Sequence, residues 1–123
     1  MRLLLDTHVV IWWDAANRLS ATANKAIHDA DQVFVSAASA WEIAIKTSLG
    51  KISSTRSIAQ ATDESGFDEL PVTFAHSAQL AVLPPIHRDP FDRMLIAQAM
   101  VEGLTVVTRD NALQQYGVVT IKA

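Results

Sequence analysis

Four acidic side chains have positions that suit a shared site. Asp6 and Asp110 follow short apolar segments, and Glu42 and Asp92 lie within stretches that have the pattern of apolar helices. Neighbouring carboxylates repel one another, so a protein that gathers several of them needs a cation to hold them together. In a chain without cysteine, such oxygen ligands favour Mg²⁺ or Mn²⁺ over zinc. Cations bound in this way lower the pKa of bound water and neutralise charge on a phosphate. The acids therefore indicate a divalent-cation site, whose chemistry would be the activation of water or the binding of a phosphate.

Each acid also has an ordinary structural explanation. Asp6 and Asp110 precede expected helices, where Asp is a favoured N-cap. Glu42 stands four residues before Lys46, the spacing of an ion pair on a helix surface. The two roles are compatible. Convergence favours the metal site, because four separate segments would bring their carboxylates to the same crevice.

A further acid accompanies Asp92. The helix expected from Pro90 onward has Asp89 as its N-cap and Asp92 in its first turn. Acids in a first turn are favoured by the helix dipole whatever the function, and Asp89 is assigned that capping role. Asp92 begins an apolar helix in which a free charge facing inward would be costly, so it is the better candidate ligand. Whether Asp89 joins the site stays open.

Short apolar runs alternate with helical patterns along the whole chain. Runs rich in β-branched residues predict five strands, at 2–5, 33–35, 70–73, 104–108 and 118–121. Helical patterns fill the intervals, at 7–16, 20–30, 37–49, 54–65, 73–83, 90–102 and 111–116. Each of the four glycines falls where a helix needs a left-handed residue to end it.

This alternation predicts an α/β fold, a three-layer α/β/α sandwich with a central parallel five-stranded sheet. If the first three strands step outward to one side and the last two to the other, right-handed crossovers give the order 3-2-1-4-5. The carboxyl ends of strands 1 and 4 then flank the point where ligands bind in such sheets. Asp6 and Asp110 follow those two strands.

Composition sets the remaining limits. The 123 residues, half of them apolar, suit one hydrophobic core, and we expect residues 1–123 to form a single domain. The absence of cysteine suits a reducing cytosol, and the short apolar N-terminus predicts neither a signal peptide nor a membrane span, so we expect a cytoplasmic protein. A net charge of −3 argues against a broad basic nucleic-acid-binding surface, although acids grouped around cations would leave the rest of the surface basic on balance.

Other residues receive supporting roles. Small polar residues at strand ends are candidates to hydrogen-bond the ligands or their waters: Thr7, Ser36 and Thr108. Arg93 and Arg109 stand beside ligands, where they would meet phosphates or remain solvated. The histidines have no metal-binding spacing and are interpreted as surface or packing residues: His8, His28, His76 and His87.

The first helix carries Val9-Val10-Ile11-Trp12-Trp13, which is apolar on every side. One core face would not use all of these side chains. Part of the helix is therefore a candidate surface for a subunit or another protein, with simple burial as the alternative.

Four fragments in this order resemble a PIN domain, and most closely the VapC-type toxins of toxin–antitoxin pairs. They are Leu3-Leu4-Leu5-Asp6-Thr7-His8, Val35-Ser36-Ala37-Ala38-Ser39-Ala40-Trp41-Glu42-Ile43, Asp89-Pro90-Phe91-Asp92-Arg93-Met94-Leu95-Ile96-Ala97-Gln98-Ala99 and Val106-Val107-Thr108-Arg109-Asp110. Each fragment alone is weak evidence. Together they span essentially the whole chain.

The resemblance implies a Mg²⁺- or Mn²⁺-dependent endoribonuclease, usually a homodimer, that is inhibited by a cognate antitoxin. The family's four acids correspond to Asp6, Glu42, Asp92 and Asp110. Two other readings of the same residues remain. One is a noncatalytic interaction domain whose acids are only caps. The other is an aspartyl-phosphate phosphatase, which the sequence disfavours because Asp6-Thr7-His8 lacks the second acid of an Asp-x-Asp motif.

Overall fold

The computed structural model describes residues 1–16, 19–52 and 56–123. The strands are β1 (Arg2–Leu5), β2 (Gln32–Ser36), β3 (Asp68–Leu70), β4 (Thr105–Thr108) and β5 (Thr120–Lys122). The helices are α1 (Thr7–Asp14), α2 (Ala21–Asp29), α3 (Ala37–Ser48), α4 (Ile58–Glu64), α5 (Phe74–Ala81) and α6 (Pro90–Glu102), with a 3₁₀ helix at Asn111–Tyr116.

The five strands form one parallel sheet in the order β3-β2-β1-β4-β5, which confirms the predicted α/β architecture. β1 lies at the centre and pairs with β2 on one side and with β4 on the other. Its register with β4 places Leu3 opposite Thr105 and Leu5 opposite Val107. The residues that follow β1 and β4 therefore emerge side by side at the carboxyl edge of the sheet.

Two apolar clusters cover the two faces of this sheet. Alternate residues of β1 serve opposite clusters: Leu4 packs with residues of α6, whereas Leu3 and Leu5 pack with residues of α1 and α2. All three leucines are fully buried. A strand buried on both faces is typical of the centre of a parallel sheet, which explains why 2–5 reads as a continuous apolar run.

Most element boundaries differ from the predictions by one or a few residues, and the clearest difference is at the third strand. It was predicted at 70–73, but β3 spans Asp68–Leu70, because Pro71 lacks an amide hydrogen and Thr73 already caps α5. The segment 111–116 forms a 3₁₀ helix that ends at Gly117. The predicted start of the fourth helix, Ser54, lies outside the described residues. All four glycines have positive φ as predicted, and at Gly103, which ends α6, φ is 68°.

The helix α3 is only partly buried. Its sequence is apolar nearly all round, yet Trp41 is 65% exposed and Ile45 is 36% exposed, while Glu42 is only 3% exposed. The helix begins at the end of β2, where the Ser36 hydroxyl accepts a hydrogen bond from the Ala38 amide. The buried Glu42 and the exposed Trp41 and Ile45 show that this helix turns an acid inward and apolar residues outward, the reverse of an ordinary amphipathic helix.

The apolar first helix is largely explained by internal packing. Trp12 and Trp13 are partly buried against the cluster on their face of the sheet. The Trp13 indole N–H donates to the Ser65 hydroxyl at 3.0 Å. Among the described helices, none has both the length and the apolar character needed to cross a membrane.

Candidate metal centre

Asp6 is the acid most firmly fixed by the fold. It follows β1, is 6% exposed and caps α1, with one carboxylate oxygen accepting a hydrogen bond from the His8 amide at 3.1 Å. The other oxygen accepts a hydrogen bond from the Thr108 hydroxyl at 2.7 Å. Capping thus orients the carboxylate, and Thr108 supports it as predicted.

Asp110 is tied to the same threonine. Its amide donates to the Thr108 hydroxyl oxygen at 3.0 Å. Its Oδ1 accepts a hydrogen bond from the Ala112 amide, so this acid is also an N-cap, and its Oδ2 lies 2.8 Å from His87 Nε2. Burial alone would raise the pKa of Asp110, but the hydrogen bonds from His87 and Ala112 lower it overall.

Asp92 stands in the first turn of α6 under strong negative potential. Burial, followed by the charges of Asp6 and Asp89, raises the pKa of its carboxyl to about 7, with a smaller contribution from Glu42. Asp89 is the N-cap of this helix, and its Oδ1 accepts hydrogen bonds from the amides of Phe91 and Asp92. Its capping role is therefore observed.

Glu42 has one satisfied oxygen and one orphaned oxygen. Oε2 accepts a hydrogen bond from the Lys46 ammonium at 2.7 Å, the predicted i, i+4 pair. Oε1 is buried and has no hydrogen-bond partner among the described residues. The Lys46 pKa is raised, chiefly by the Glu42 hydrogen bond and also by the charges of Asp89 and Asp92. Glu42 is therefore within electrostatic reach of the aspartates.

One cleft brings three of the four predicted acids together. It is lined by Asp6, His8, Trp12, Asp92, Arg109 and Asp110. Glu42 is not part of that lining, and it approaches from α3, which packs against α6. The site residues thus come from the ends of β1 and β4 and from two neighbouring helices.

His87 was wrongly interpreted as a surface or packing residue. Its Nε2 lies 2.8 Å from Asp110 Oδ2 and 3.2 Å from Asp92 Oδ2. Burial alone would lower the pKa of this imidazole, but the hydrogen bond to Asp110 and the charges of Asp92, Asp110 and Asp89 raise it overall. No spacing motif marks this histidine, because it reaches Asp110 across 23 residues of sequence.

The two arginines differ. Arg109 lines the cleft, with its guanidinium 4.0 Å from the centre of the Trp12 ring and its Nε donating to the Ala123 carbonyl. Arg93 is directed elsewhere, donating to the carbonyl of Pro84 at 2.9 Å and to the Tyr116 hydroxyl at 3.4 Å. Arg109 therefore remains a candidate for phosphate binding, whereas Arg93 stabilises the loop before α6.

The other predicted supporting residues are less direct. The Thr7 hydroxyl donates to the Ser39 hydroxyl at 2.8 Å, and the Ser36 hydroxyl caps α3. Both are buried beneath the cleft edge of the sheet, where they hold the helices that carry Asp6 and Glu42.

The donor set fits a divalent cation. Three carboxylates share the cleft, one of them with a pKa raised by burial and by its acidic neighbours, and a fourth keeps a buried oxygen without a hydrogen-bond partner in the described part of the chain. A cation in the cleft would neutralise the repulsion among the carboxylates, and the unpartnered Glu42 oxygen offers one more oxygen ligand.

Comparison with known proteins decides the family. The PIN domain matches residues 3–119. The chain belongs to the PIN-domain family. It is 32% identical to Ribonuclease VapC22 of Mycobacterium tuberculosis, over 93% of this chain and 91% of that protein.

Solved structures share the PIN fold at low sequence identity. VapBC2 from Rickettsia felis, bound to a DNA fragment from its promoter, matches with a TM-score of 0.73 and 12% identity over 98% of each chain. FitAcB from Neisseria gonorrhoeae matches with a TM-score of 0.68 and 18% identity over 98% of this chain and 96% of that one. Likeness at this level of identity shows the fold alone.

Proposed function

We propose that this PIN-domain protein is a Mg²⁺- or Mn²⁺-dependent endoribonuclease and the toxin of a toxin–antitoxin pair, with residues 1–123 acting as one nuclease unit. The observation that carries the proposal is the shared cleft of Asp6, Asp92 and Asp110 in a chain 32% identical to a ribonuclease. Caps alone do not explain this cleft, because capping does not require acids from separate elements to face one another.

Asp6 and Asp92 are proposed to hold the principal ion, and Glu42 and Asp110 to complete the ligand set directly or through water. When bound, divalent cations supply an activated water and neutralise charge on the scissile phosphate. The carboxylates are pre-oriented: Asp6 is held by two hydrogen bonds and Asp110 by its own cap. Pre-orientation of this kind keeps the ligands from collapsing onto other partners when substrate arrives.

Two cationic side chains have distinct proposed roles. Lys46 is 34% exposed and bonded to Glu42, so it holds that carboxylate and offsets part of the local charge. Arg109 is proposed to bind an RNA phosphate, since its guanidinium lies over Trp12 at the wall of the cleft. A planar cation stacked on an aromatic ring keeps its edge donors available for phosphate oxygens.

The proposed partners are a cognate antitoxin, an RNA substrate and a second copy of the chain. The fold matches are complexes named VapBC and FitAcB, and the acidic cleft suggests how an antitoxin would act here. An arginine guanidinium can bridge two carboxylates and take the place of a cation while excluding substrate phosphate. Neutralising every Arg and Lys of the antitoxin's inhibitory segment should release the nuclease, and unchanged inhibition would refute this mode of contact. A cysteine-free chain acting on RNA is expected to work in the cytoplasm.

The direct test compares RNA with a small phosphomonoester as substrate, using chelator-stripped protein with and without millimolar Mg²⁺ or Mn²⁺. Endonucleolytic cleavage of RNA only when metal is present is the expected result. Hydrolysis of the phosphomonoester alone would identify a phosphatase, and neither activity together with no metal binding would identify a noncatalytic domain. Sequencing the ends of the cut RNA would then define the cleavage site.

A further inference from the structure

We propose that His87 is a positioning residue of the metal site: its ring N–H is hydrogen-bonded to Asp110 and lies within ion-pair distance of Asp92, and the ring does not itself bind the cation. The inference rests on the proposed function, since it concerns ligands of that site. It assigns to the loop before α6 a role in shaping the ligand set.

The hydrogen bonds of the neutral imidazole fix its tautomer. The Asp89 amide donates to His87 Nδ1 at 3.0 Å, so Nδ1 carries the lone pair and the ring hydrogen is on Nε2. Nε2–H faces Asp110 Oδ2 at 2.8 Å and Asp92 Oδ2 at 3.2 Å. Nε2–H is therefore hydrogen-bonded to Asp110 and also lies within ion-pair distance of Asp92, a carboxylate from a different element.

The loop that carries His87 is held at two points. The backbone amide of His87 donates to the Tyr116 hydroxyl at 2.7 Å, and the Arg93 guanidinium bonds the Pro84 carbonyl and the same hydroxyl. The loop is thereby attached to α6 and to the 3₁₀ helix that follows Asp110. A donor fixed in this way sets the distance between the two carboxylates instead of following their movement.

Distances alone would also allow His87 to be a metal ligand. Nε2 and the two carboxylates each offer an atom within 4.8 Å of the others, which is a suitable spacing for a three-ligand metal site. Ligation through Nε2 would require the ring hydrogen to move to Nδ1, where it would face the Asp89 N–H. Two donors would then oppose each other in a part-buried loop, so the geometry favours hydrogen bonding over ligation.

Loss of such a support is expected to weaken metal binding by about 10- to 100-fold, the usual range for groups that orient metal ligands. His87→Gln keeps an amide N–H that can reach a carboxylate, whereas His87→Leu removes the donor. Glu102→Gln is the matched control, because Glu102 accepts a hydrogen bond from another histidine, His76, away from the cleft residues.

The first experiment reads the tautomer in the unaltered protein. Nitrogen-detected NMR of the His87 ring, at a pH raised until the spectrum shows that only one ring nitrogen is protonated, should show Nε2–H in both metal-free and Mg²⁺-loaded protein. A switch to the Nδ1–H form on Mg²⁺ loading would make Nε2 a ligand and overturn the proposal. This reading does not depend on any variant folding.

The second experiment measures Mn²⁺ affinity by the electron paramagnetic resonance of the free ion. His87→Leu should bind at least about tenfold more weakly than wild type, while His87→Gln and Glu102→Gln should stay within a few-fold of it. Equal or tighter binding by His87→Leu, or an equal loss in His87→Gln, would overturn the proposal. Wild-type Mn²⁺ binding and RNA cleavage, measured in parallel, show separately whether the proposed function itself holds.

Discussion

Two histidines of this fold have the same local hydrogen bonding and very different surroundings. His76 Nδ1 accepts the Thr73 amide at 3.0 Å, and His76 Nε2 lies 2.8 Å from Glu102. His87 Nδ1 accepts the Asp89 amide at 3.0 Å, and its Nε2 lies 2.8 Å from Asp110. In both places a backbone amide sets the ring so that Nε2 faces a carboxylate.

The difference lies in the number of acids. His76 is fully buried and faces Glu102, so it forms a local pair that joins α5 to α6. His87 faces Asp92 as well as Asp110, and the charges of Asp6, Asp89 and Glu42 add to the field at Asp92. The His76–Glu102 pair therefore has a structural explanation, whereas the excess of acids around His87 supports the proposed cation site.

The largest expected effect is on catalysis. Asp92→Asn or Asp6→Asn should lower metal-dependent RNA cleavage about a thousandfold, because each removes a charged ligand while nearly preserving shape. Initial rates on a defined RNA, with circular dichroism to verify folding, check this. Full activity of either folded variant at wild-type metal concentrations would remove that acid from the site.

The second-largest effect is expected on thermal stability in the presence of metal, which should distinguish the acids around His87 from the His76–Glu102 pair. At a metal concentration about 100 times Kd, linkage adds about 2.7 kcal/mol to the free energy of unfolding, because the unfolded chain does not assemble the ligands. The melting temperature of stripped protein should rise by several degrees in Mg²⁺ or Mn²⁺. Asp92→Asn should lose most of this rise and Glu102→Gln should keep it; an equal loss in both would mean that the cation binds outside the cleft.

The pH dependence of the metal-free protein follows from the raised pKa of Asp92. Between about pH 4 and pH 7 the folded protein keeps a proton that the unfolded chain releases, so stability falls as pH rises across this window and the loss is complete above about 7. After allowance for residual solvent, the fall is about 1–3 kcal/mol.

Denaturant titrations in chelator at several pH values measure this fall. Asp92→Asn should flatten it and be the more stable protein at pH 8, because the amide carries no charge to repel its neighbours. If the free energy of unfolding of the wild type instead rose from pH 4 to pH 7 by as much as that of the variant, the acids would not be repelling one another.

The smallest effect is expected at Glu102. Glu102→Gln keeps an oxygen that can accept the His76 N–H, and the side chain is 35% exposed, so the cost in unfolding free energy should be below about 1 kcal/mol. RNA cleavage should be unchanged. A large loss of cleavage in the folded variant would show that the His76 pair and the cleft are coupled.

The sequence predicted the strands, the helices and the candidate acids because those depend on local signals, and it predicted the sheet order because right-handed crossovers restrict how the strands connect. Each of these local signals lies within a few residues of sequence. They include the three consecutive leucines of β1, the glycines that end helices, and the acids that also serve as caps. Asp6 and Asp110 illustrate this well, since the cap and the proposed ligand are the same side chain in each case.

What the sequence did not predict depends on contacts between distant segments. His87 meets Asp110 only because the loop before α6 folds back over the residue that follows β4. The exposure of Trp41 and Ile45 likewise depends on which side of α3 is covered by its neighbours, and an all-apolar pattern does not reveal this. The burial of Glu42 on the same helix shows that tertiary packing can reverse the usual preference of acids for the surface and of apolar residues for the core.

The pairing of β1 with β4 also sets the moment during synthesis at which the cleft is complete. Asp6 emerges early from the ribosome, but its hydrogen-bond partner Thr108 and its neighbour Asp110 follow only about a hundred residues later. At about 5–20 residues per second this interval lasts about 5–20 s. Throughout this interval the nascent chain has a central strand with one side unpaired, and the acids of the cleft are not assembled.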